Sequence, residues 1–239
     1  MPIRRPPPGY PTAMTPTTTR PEPEATRTLT MRLGDLDITY DHRVLRPRPW
    51  TVAQSVWAAE LLVDAAPGPV LELCTGAGQI GLLAIVDSDR HLVAVDADAV
   101  ACDFARRNAA AAGLAGRVEI RHARIEDALA PHERFPVIVA DPPWVPSART
   151  SQFPEDPLTA IDGGDDGLSL ARRCLEVAQT HLVVDGLMLL QLGSWSQARA
   201  VQDHVEAETT GLVVTEVRRP APTGVVVCVR RTGDPEPDC

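Results

Sequence analysis

The segment that most constrains this chain is VLELCTGAGQIGLL, residues 70–83. An apolar run, Val70–Cys74, closes on Thr75-Gly76-Ala77-Gly78, and helical periodicity resumes from Ile80 to about Val86. That is a buried strand, a tight turn and a helix. Glycine at 76 and 78 permits positive φ and lets a ligand approach the backbone closely. The helix start behind it offers unsatisfied N–H groups. In a doubly wound sheet this turn borders the crevice where nucleotides bind. The spacing GAGQIG also fits the GxGxxG of dinucleotide folds, so the turn alone leaves the nucleotide open.

The rest of the chain predicts where the turn sits. Leu29–Leu33 and Leu36–Tyr40 flank Gly34-Asp35 and read as a β-hairpin. After VLRPRPWT, Thr51 is placed to cap a helix to about Asp64, with Val52, Val56, Ala59, Leu62 and Val63 on its apolar face. Beyond the glycine turn, strands are expected at His91–Val95, Val118–His122, Val137–Ala140 and Leu187–Leu192, and helices at Ala99–Ala112, Leu168–Leu182 and Gln197–Ala207. Leu212–Arg218 and Val225–Arg230 close the chain as two strands joined by Pro220–Gly224. Alternating βα units ending in a hairpin imply an α/β fold, a Rossmann-like doubly wound sheet, mostly parallel, with a terminal antiparallel hairpin and a small β-hairpin before it.

Residues 1–27 are rich in Pro, Thr and Arg, so they read as a disordered arm; the folded domain is expected over 28–232, with a flexible tail at 233–239. The net charge of −9 disfavours bulk nucleic acid, whose binding needs cations against phosphate. Cys74, Cys102, Cys174, Cys228 and Cys239 contain no CxxC pair, so neither a disulfide framework nor a metal site is expected. With no signal-type apolar segment and no long apolar run, the expectation is a cytoplasmic protein that does not enter a membrane.

Two acids and one tetrapeptide carry the chemistry. The second central strand ends in VAVDAD, where Asp96 is placed to accept both hydroxyls of a ribose, and Asp98 to cap the next helix. The fourth ends in Asp141-Pro142-Pro143-Trp144. Two prolines stiffen the chain past the strand end. The Asp141 carboxylate and the Pro142 carbonyl then converge as acceptors on one N–H₂ donor, with the flat face of Trp144 against a planar amide or base. Downstream, IDGGDDGLSL makes a tight loop; its acids lack the spacing of a calcium-binding loop.

These segments resemble the PrmC/HemK-type protein-glutamine N5-methyltransferases, which act on peptide-chain release factors. LRPRPWT is similar to that family's PRPET segment, VLELCTGAGQIGL to its VLDLGTGSGxIAL motif, and ADPPWV followed by PLTAIDGGDDGL to its NPPY and GGxDGL. With a proline-rich arm where bacterial members carry an N-terminal helical domain, the chain is in this respect closer to the short HemK-like members. It departs from the family at Asp141 for Asn, Trp144 for Tyr and Cys74 for the first motif glycine. The resemblance implies a class I methyltransferase fold with a seven-stranded sheet and S-adenosylmethionine as cofactor. By position it places Glu72, Cys74, Gly76 and Gly78 near the methionine moiety, Asp96 and Ala97 near ribose, and Ile125 or Glu126 beside adenine. Asp141 faces the methyl group, catalysis falls to Asp141, Pro142 and Trp144, and the acceptor lies near Arg48, Thr51 and Pro143.

The implied activity is N-methylation of a planar nitrogen, with a protein glutamine amide, as in a release factor, the leading acceptor. The carboxylate at Asp141 keeps open the exocyclic amine of a nucleobase or a small-molecule amine. A cofactor-binding protein without catalysis is the remaining reading.

Overall fold

The computed structural model describes residues 27–219 and 224–233. The predicted N-terminal arm up to residue 26, the link at 220–223 and the tail from 234 lie outside the described residues. The chain opens with β1 (Leu29–Leu33) and β2 (Leu36–Tyr40), paired antiparallel with Leu33 opposite Leu36. Gly34 makes the turn at φ +53, a conformation that costs a glycine little. Leu36, Ile38 and Tyr40 point into the core while Asp37 is exposed, the period of two expected of a half-buried strand.

A 3-10 turn at Pro49–Thr51 leads into α1 (Val52–Asp64). Two expectations fail here. Thr51 makes no capping bond; its hydroxyl donates to the Arg48 carbonyl at 2.8 Å. The buried face is Gln54, Ser55, Trp57, Ala58 and Leu62, whereas Val56 and Val63 are exposed. Packing thus overrode the apolar pattern. Gln54 goes inward because its amide nitrogen donates to the carbonyls of Ala140 and Leu189, at 3.1 and 3.0 Å.

The alternating units follow as β3 (Val70–Leu73), α2 (Gln79–Ile85), β4 (Leu92–Asp96), α3 (Ala99–Ala111), β5 (Val118–His122) and β6 (Phe135–Ala140). A short α4 (Leu158–Ile161), not foreseen, precedes α5 (Ser169–His181) and β7 (Leu182–Leu192). Strand β7 begins five residues earlier than expected and passes Asp185 at φ +62. The chain ends with α6 (Trp195–Glu208), β8 (Leu212–Arg218) and β9 (Val225–Arg231).

These strands form one seven-stranded sheet of order β5-β4-β3-β6-β7-β9-β8. Every pairing from β5 to β7 is parallel, and β9 runs antiparallel to both β7 and β8. Alternate residues of β3 show why both faces are covered. Val70 belongs to the apolar cluster beneath α1–α3 and the hairpin; Leu71 and Leu73 belong to the one beneath α5 and α6. Strand β6 is buried at every residue, as a central parallel strand must be.

Strand order reverses between β3 and β6, which puts a switch point at the carboxyl ends of β3, β4 and β6. Asn108 of α3 ties the hairpin to this edge. Its amide nitrogen donates to the carbonyls of Thr39 and Ala77, at 2.9 and 2.8 Å, and its oxygen accepts from the Thr39 backbone N–H and hydroxyl. Replacing Asn108 by Ala strands these buried groups. We expect Asn108→Ala to lower unfolding free energy by about 1–3 kcal/mol, read from chemical denaturation; an unchanged midpoint would show that the tie carries no weight.

Candidate active site

Strand register alone assembles the site. Leu73 lies level with Val95 on β4 and with Ala140 on β6. The next residue on each strand is therefore Cys74, Asp96 and Asp141, side by side at one edge. Adjacent strands lie roughly 4.8 Å apart, so Asp96 and Asp141 flank Cys74 about two spacings from each other. Between them opens a crevice of about 550 Å³, a size that suits a small-molecule ligand. Cys74, Gly76, Asp96, Ala97, Ile125, Glu126, Asp141 and Pro143 line it.

The floor is the glycine turn. Cys74 adopts φ +60, a strained value for a residue with a side chain, followed by Gly76 at +55 and Gly78 at +85. The turn is held from several sides. The Thr75 N–H donates to Val95 O at 3.0 Å, and the Gly76 N–H to the Asp96 carboxylate at 2.8 Å. Asp96 also accepts from the Asp98 N–H at 2.9 Å, and Asp98 caps α3 through the Val100 N–H at 2.8 Å. Burial pushes the Asp96 carboxyl above its ordinary range, against these backbone bonds.

Glu72 does not line the crevice. It is fully buried, accepts from the Thr75 hydroxyl, and takes the Gly81 N–H at 2.9 Å. A Cβ on Gly81 would lie 2.5 Å from its carboxylate, so glycine at 81 makes the room for it. Burial, with smaller repulsion from Asp96 and Asp141, pushes the Glu72 carboxyl up to about 7, although both hydrogen bonds oppose the shift.

Asp141 differs from both. It lines the crevice, and none of the described residues gives it a hydrogen bond or an ion pair. Burial alone pushes its carboxyl up to about 7. The Gln54 amide fixes the strand end just before it, at Ala140 O. Pro142 is buried behind the wall that Pro143 presents. Trp144 is half-buried outside the lining, its indole lying where a side chain on Gly193 would have to go.

Arg48, Thr51 and Gly78 also stand apart from the lining. Arg48 donates to both carboxylate oxygens of Asp156, at 2.7 and 2.6 Å, and so ties the chain before α1 to the segment after β6. Thr51 is buried against Arg48. Gly78 packs against Ala105 of α3.

With this geometry the chain matches a known family. Residues 55–191 match the methyltransferase small domain. The chain belongs to that family. Similar curated members include a ribosomal protein uL3 glutamine methyltransferase of Bordetella pertussis, 36% identical over 57% of this chain and 45% of that one. Release factor glutamine methyltransferases of Thermodesulfovibrio yellowstonii and Xylella fastidiosa are 30% and 34% identical. They cover 71% and 74% of this chain, and 62% and 65% of their own lengths. The chain thus spans about half to two thirds of these relatives. A methyltransferase from Pyrococcus furiosus superposes with TM-score 0.59 at 19% identity, over 84% of this chain and 91% of that one. The hMettl16 catalytic domain, solved in complex with MAT2A 3'UTR hairpin 6, superposes with TM-score 0.66 at 14% identity, over 83% and 76%. These structures share the class I methyltransferase fold.

The helical layers hold residues that the sequence did not single out. Asn108 is one polar residue in an alanine-rich helix, and Gln54 and Gln197 are amides on otherwise mixed helix faces. Their polarity at buried positions was the available signal. Arg43 also lines the crevice, locked to Asp41 by three side-chain bonds of 2.6–3.1 Å. Among the described residues, no helix is long and apolar enough to cross a membrane.

Glu72 gives this site a pH signature. A carboxyl whose folded pKa of about 7 exceeds its ordinary 4.5 keeps its proton longer in the fold than in the unfolded chain. Its stabilising contribution is full below about pH 4.5 and is lost as pH climbs to about 7. Comparing Glu72→Gln with the parent across that window should show a shallower fall in stability for the variant, the difference approaching about 3 kcal/mol. Parallel curves would mean that Glu72 titrates as an ordinary surface acid.

Proposed function

We propose that the chain is an S-adenosylmethionine-dependent N-methyltransferase whose acceptor is the side-chain amide of a protein glutamine. The observation that carries this reading is the Asp141 carboxyl, without a hydrogen-bond partner among the described residues and aligned by strand register with the glycine turn on one crevice wall.

The residues present fit the cofactor. Asp96 at the end of β4 offers a carboxylate to ribose hydroxyls, Ala97, Ile125 and Glu126 border the adenine end, and the Cys74–Gly76 turn leaves room for the methionine end. Acids dominate the lining, with Asp96, Asp98, Glu126 and Asp141 against Arg43 and Arg124. Arg43 is already paired with Asp41, and Arg124 lies 3.6 Å from Glu126. That balance favours a cationic ligand. When bound, the cofactor supplies an electrophilic methyl group on a positively charged sulfur.

An amide nitrogen is a weak nucleophile because its lone pair is delocalised. The chain adds orientation and a place for the proton. The Asp141 carboxylate accepts an N–H of the acceptor and so turns the nitrogen lone pair toward the crevice. With its pKa near 7 it takes up the proton the nitrogen sheds as the new N–C bond forms. Pro142 and Pro143 keep that carboxylate from swinging. Trp144 contributes by seating this segment against Gly193.

The names of the relatives, glutamine methyltransferases of release factors and of ribosomal protein uL3, support a protein acceptor of either kind. The carboxylate at Asp141 favours, as a second reading, the exocyclic amine of a base.

Purified protein with labelled cofactor and a Gly-Gly-Gln peptide tests the proposal. Label should enter the glutamine. Transfer to nucleosides and not to the peptide would replace this reading with the second. The rate should rise as pH passes about 7, where Asp141 ionises. Asp141→Ala should slow transfer by about 100-fold or more, the scale of one lost transition-state hydrogen-bonding group, with cofactor affinity little changed. Asp141→Asn should retain an acceptor oxygen and lose the rise with pH. Asp96→Ala should do the reverse of Asp141→Ala. By calorimetry it should weaken cofactor binding by about tenfold or more, the worth of hydrogen bonds to a charged group, and unaltered binding would remove Asp96 from the cofactor site.

A further inference from the structure

Among the described residues, none gives the Asp141 carboxyl a bond to hold it. Its aim therefore depends on the backbone at the two ends of Asp141–Trp144. The near end is held by the sheet and by Gln54 at Ala140 O. The far end is held from α6, 53 residues along the chain. We propose that Gln197 is the positioning residue for the acceptor-binding segment. This rests on the reading of Asp141 given above.

Gln197 lies in the first turn of α6 and is buried. Its amide nitrogen donates to the Trp144 carbonyl at 2.8 Å and faces the carbonyls of Asp166 and Gly167 at 3.4 Å each. Its oxygen accepts the Gly193 N–H at 3.0 Å. One side chain thus joins three segments: the exit of the DPPW segment, the loop at 163–167, and the end of β7. The backbone around it is shaped for close approach. A Cβ on Gly167 would strike the Trp144 carbonyl and the Gln197 amide, and one on Gly193 would strike the Trp144 ring. The same loop holds Val145, whose N–H donates to Ile161 O and whose carbonyl accepts from the Gly163 N–H, both at 2.9 Å. Gln197 is therefore where α6, the glycine loop and the acceptor segment are referred to one another.

A structural role alone would make Gln197 equivalent to Ser194, which caps the same helix by accepting the Gln197 N–H at 3.3 Å, reaches the Gln197 Oε1 only at 3.5 Å, and makes no hydrogen bond to the acceptor segment among the described residues. The test sets Gln197→Met beside Ser194→Ala. Each is measured for melting temperature, S-adenosylhomocysteine affinity by calorimetry, kcat on the Gly-Gly-Gln peptide, and acrylamide quenching of Trp144, taken as the difference from the matching Trp144→Phe protein. Positioning predicts that Gln197→Met lowers kcat about tenfold or more and opens Trp144 to the quencher, with nucleoside affinity held. Ser194→Ala should lower the melting temperature alone. Equal kcat and equal quenching in the two variants would overturn the proposal. Should Gln197→Met not fold, Gln197→Asn keeps the amide but shortens its reach, and the same readouts apply. If the parent enzyme leaves the peptide unmethylated, the glutamine reading fails, and the quenching comparison still decides whether Gln197 sets the segment.

Discussion

A carboxyl group half-buried in a crevice wall, with no donor among the described residues, holds its charge at a cost. The cost falls when it takes a proton or when a donor arrives to meet it. Asp141 is such a group, and the rest of the site is arranged around that fact. The two neighbouring acids already accept bonds from within: Asp96, level with it at the sheet edge, takes one backbone N–H on each oxygen, from Gly76 and Asp98, and keeps acceptor sites free; Glu72, two residues before Cys74, is held by Thr75 and Gly81. At the end of β6 the Asp141 carboxyl therefore brings its acceptor capacity to the crevice, beside what Asp96 keeps free and the Gln79 Oε1 in the same lining, unbonded among the described residues. A ligand bearing an N–H there gains a hydrogen bond, and the protein loses an unsatisfied acceptor in the same event.

The fold supplies the precision this needs. Parallel strands in fixed register place Cys74, Asp96 and Asp141 in a row without help from side chains. Buried amides then refer the helical layers to that row. Asn108 links α3 and the hairpin to the glycine turn, Gln54 links α1 to the end of β6 and to Leu189 within β7, and Gln197 links α6 to the exit of the acceptor segment. Each is a long-range bond made where the surroundings are otherwise apolar, so each specifies one arrangement of the layers. The ion pair of Arg48 with Asp156 does similar work at the rim.

Most of the fold was legible in the sequence because its strands are short, apolar and separated by glycine or proline. The hairpin at 29–40 and the strand at 118–122 fall where alternation put them. The terminal antiparallel strand follows from the short link that precedes it. The buried face of α1 was misjudged since Val56 and Val63 look like core residues. The inward turn of Gln54 answers to two backbone carbonyls far along the chain. Asp96, Ala97, Ile125, Glu126, Asp141 and Pro143 could be chosen from motifs, and the structure brings them to one cavity. The inward orientation of Glu72 and the seating of Trp144 on Gly193 could not be chosen so. They depend on what a glycine leaves room for, which local sequence does not encode.

The central claim is that the acceptor nitrogen docks on the Asp141 carboxyl, on the opposite side of the glycine turn from Asp96. A crystal structure with S-adenosylhomocysteine and a Gly-Gly-Gln peptide bound together tests it most directly. The account predicts the glutamine amide nitrogen within hydrogen-bonding distance of an Asp141 oxygen, facing the nucleoside's sulfur. A peptide bound elsewhere, or Asp141 turned from the crevice toward a protein donor, would contradict it.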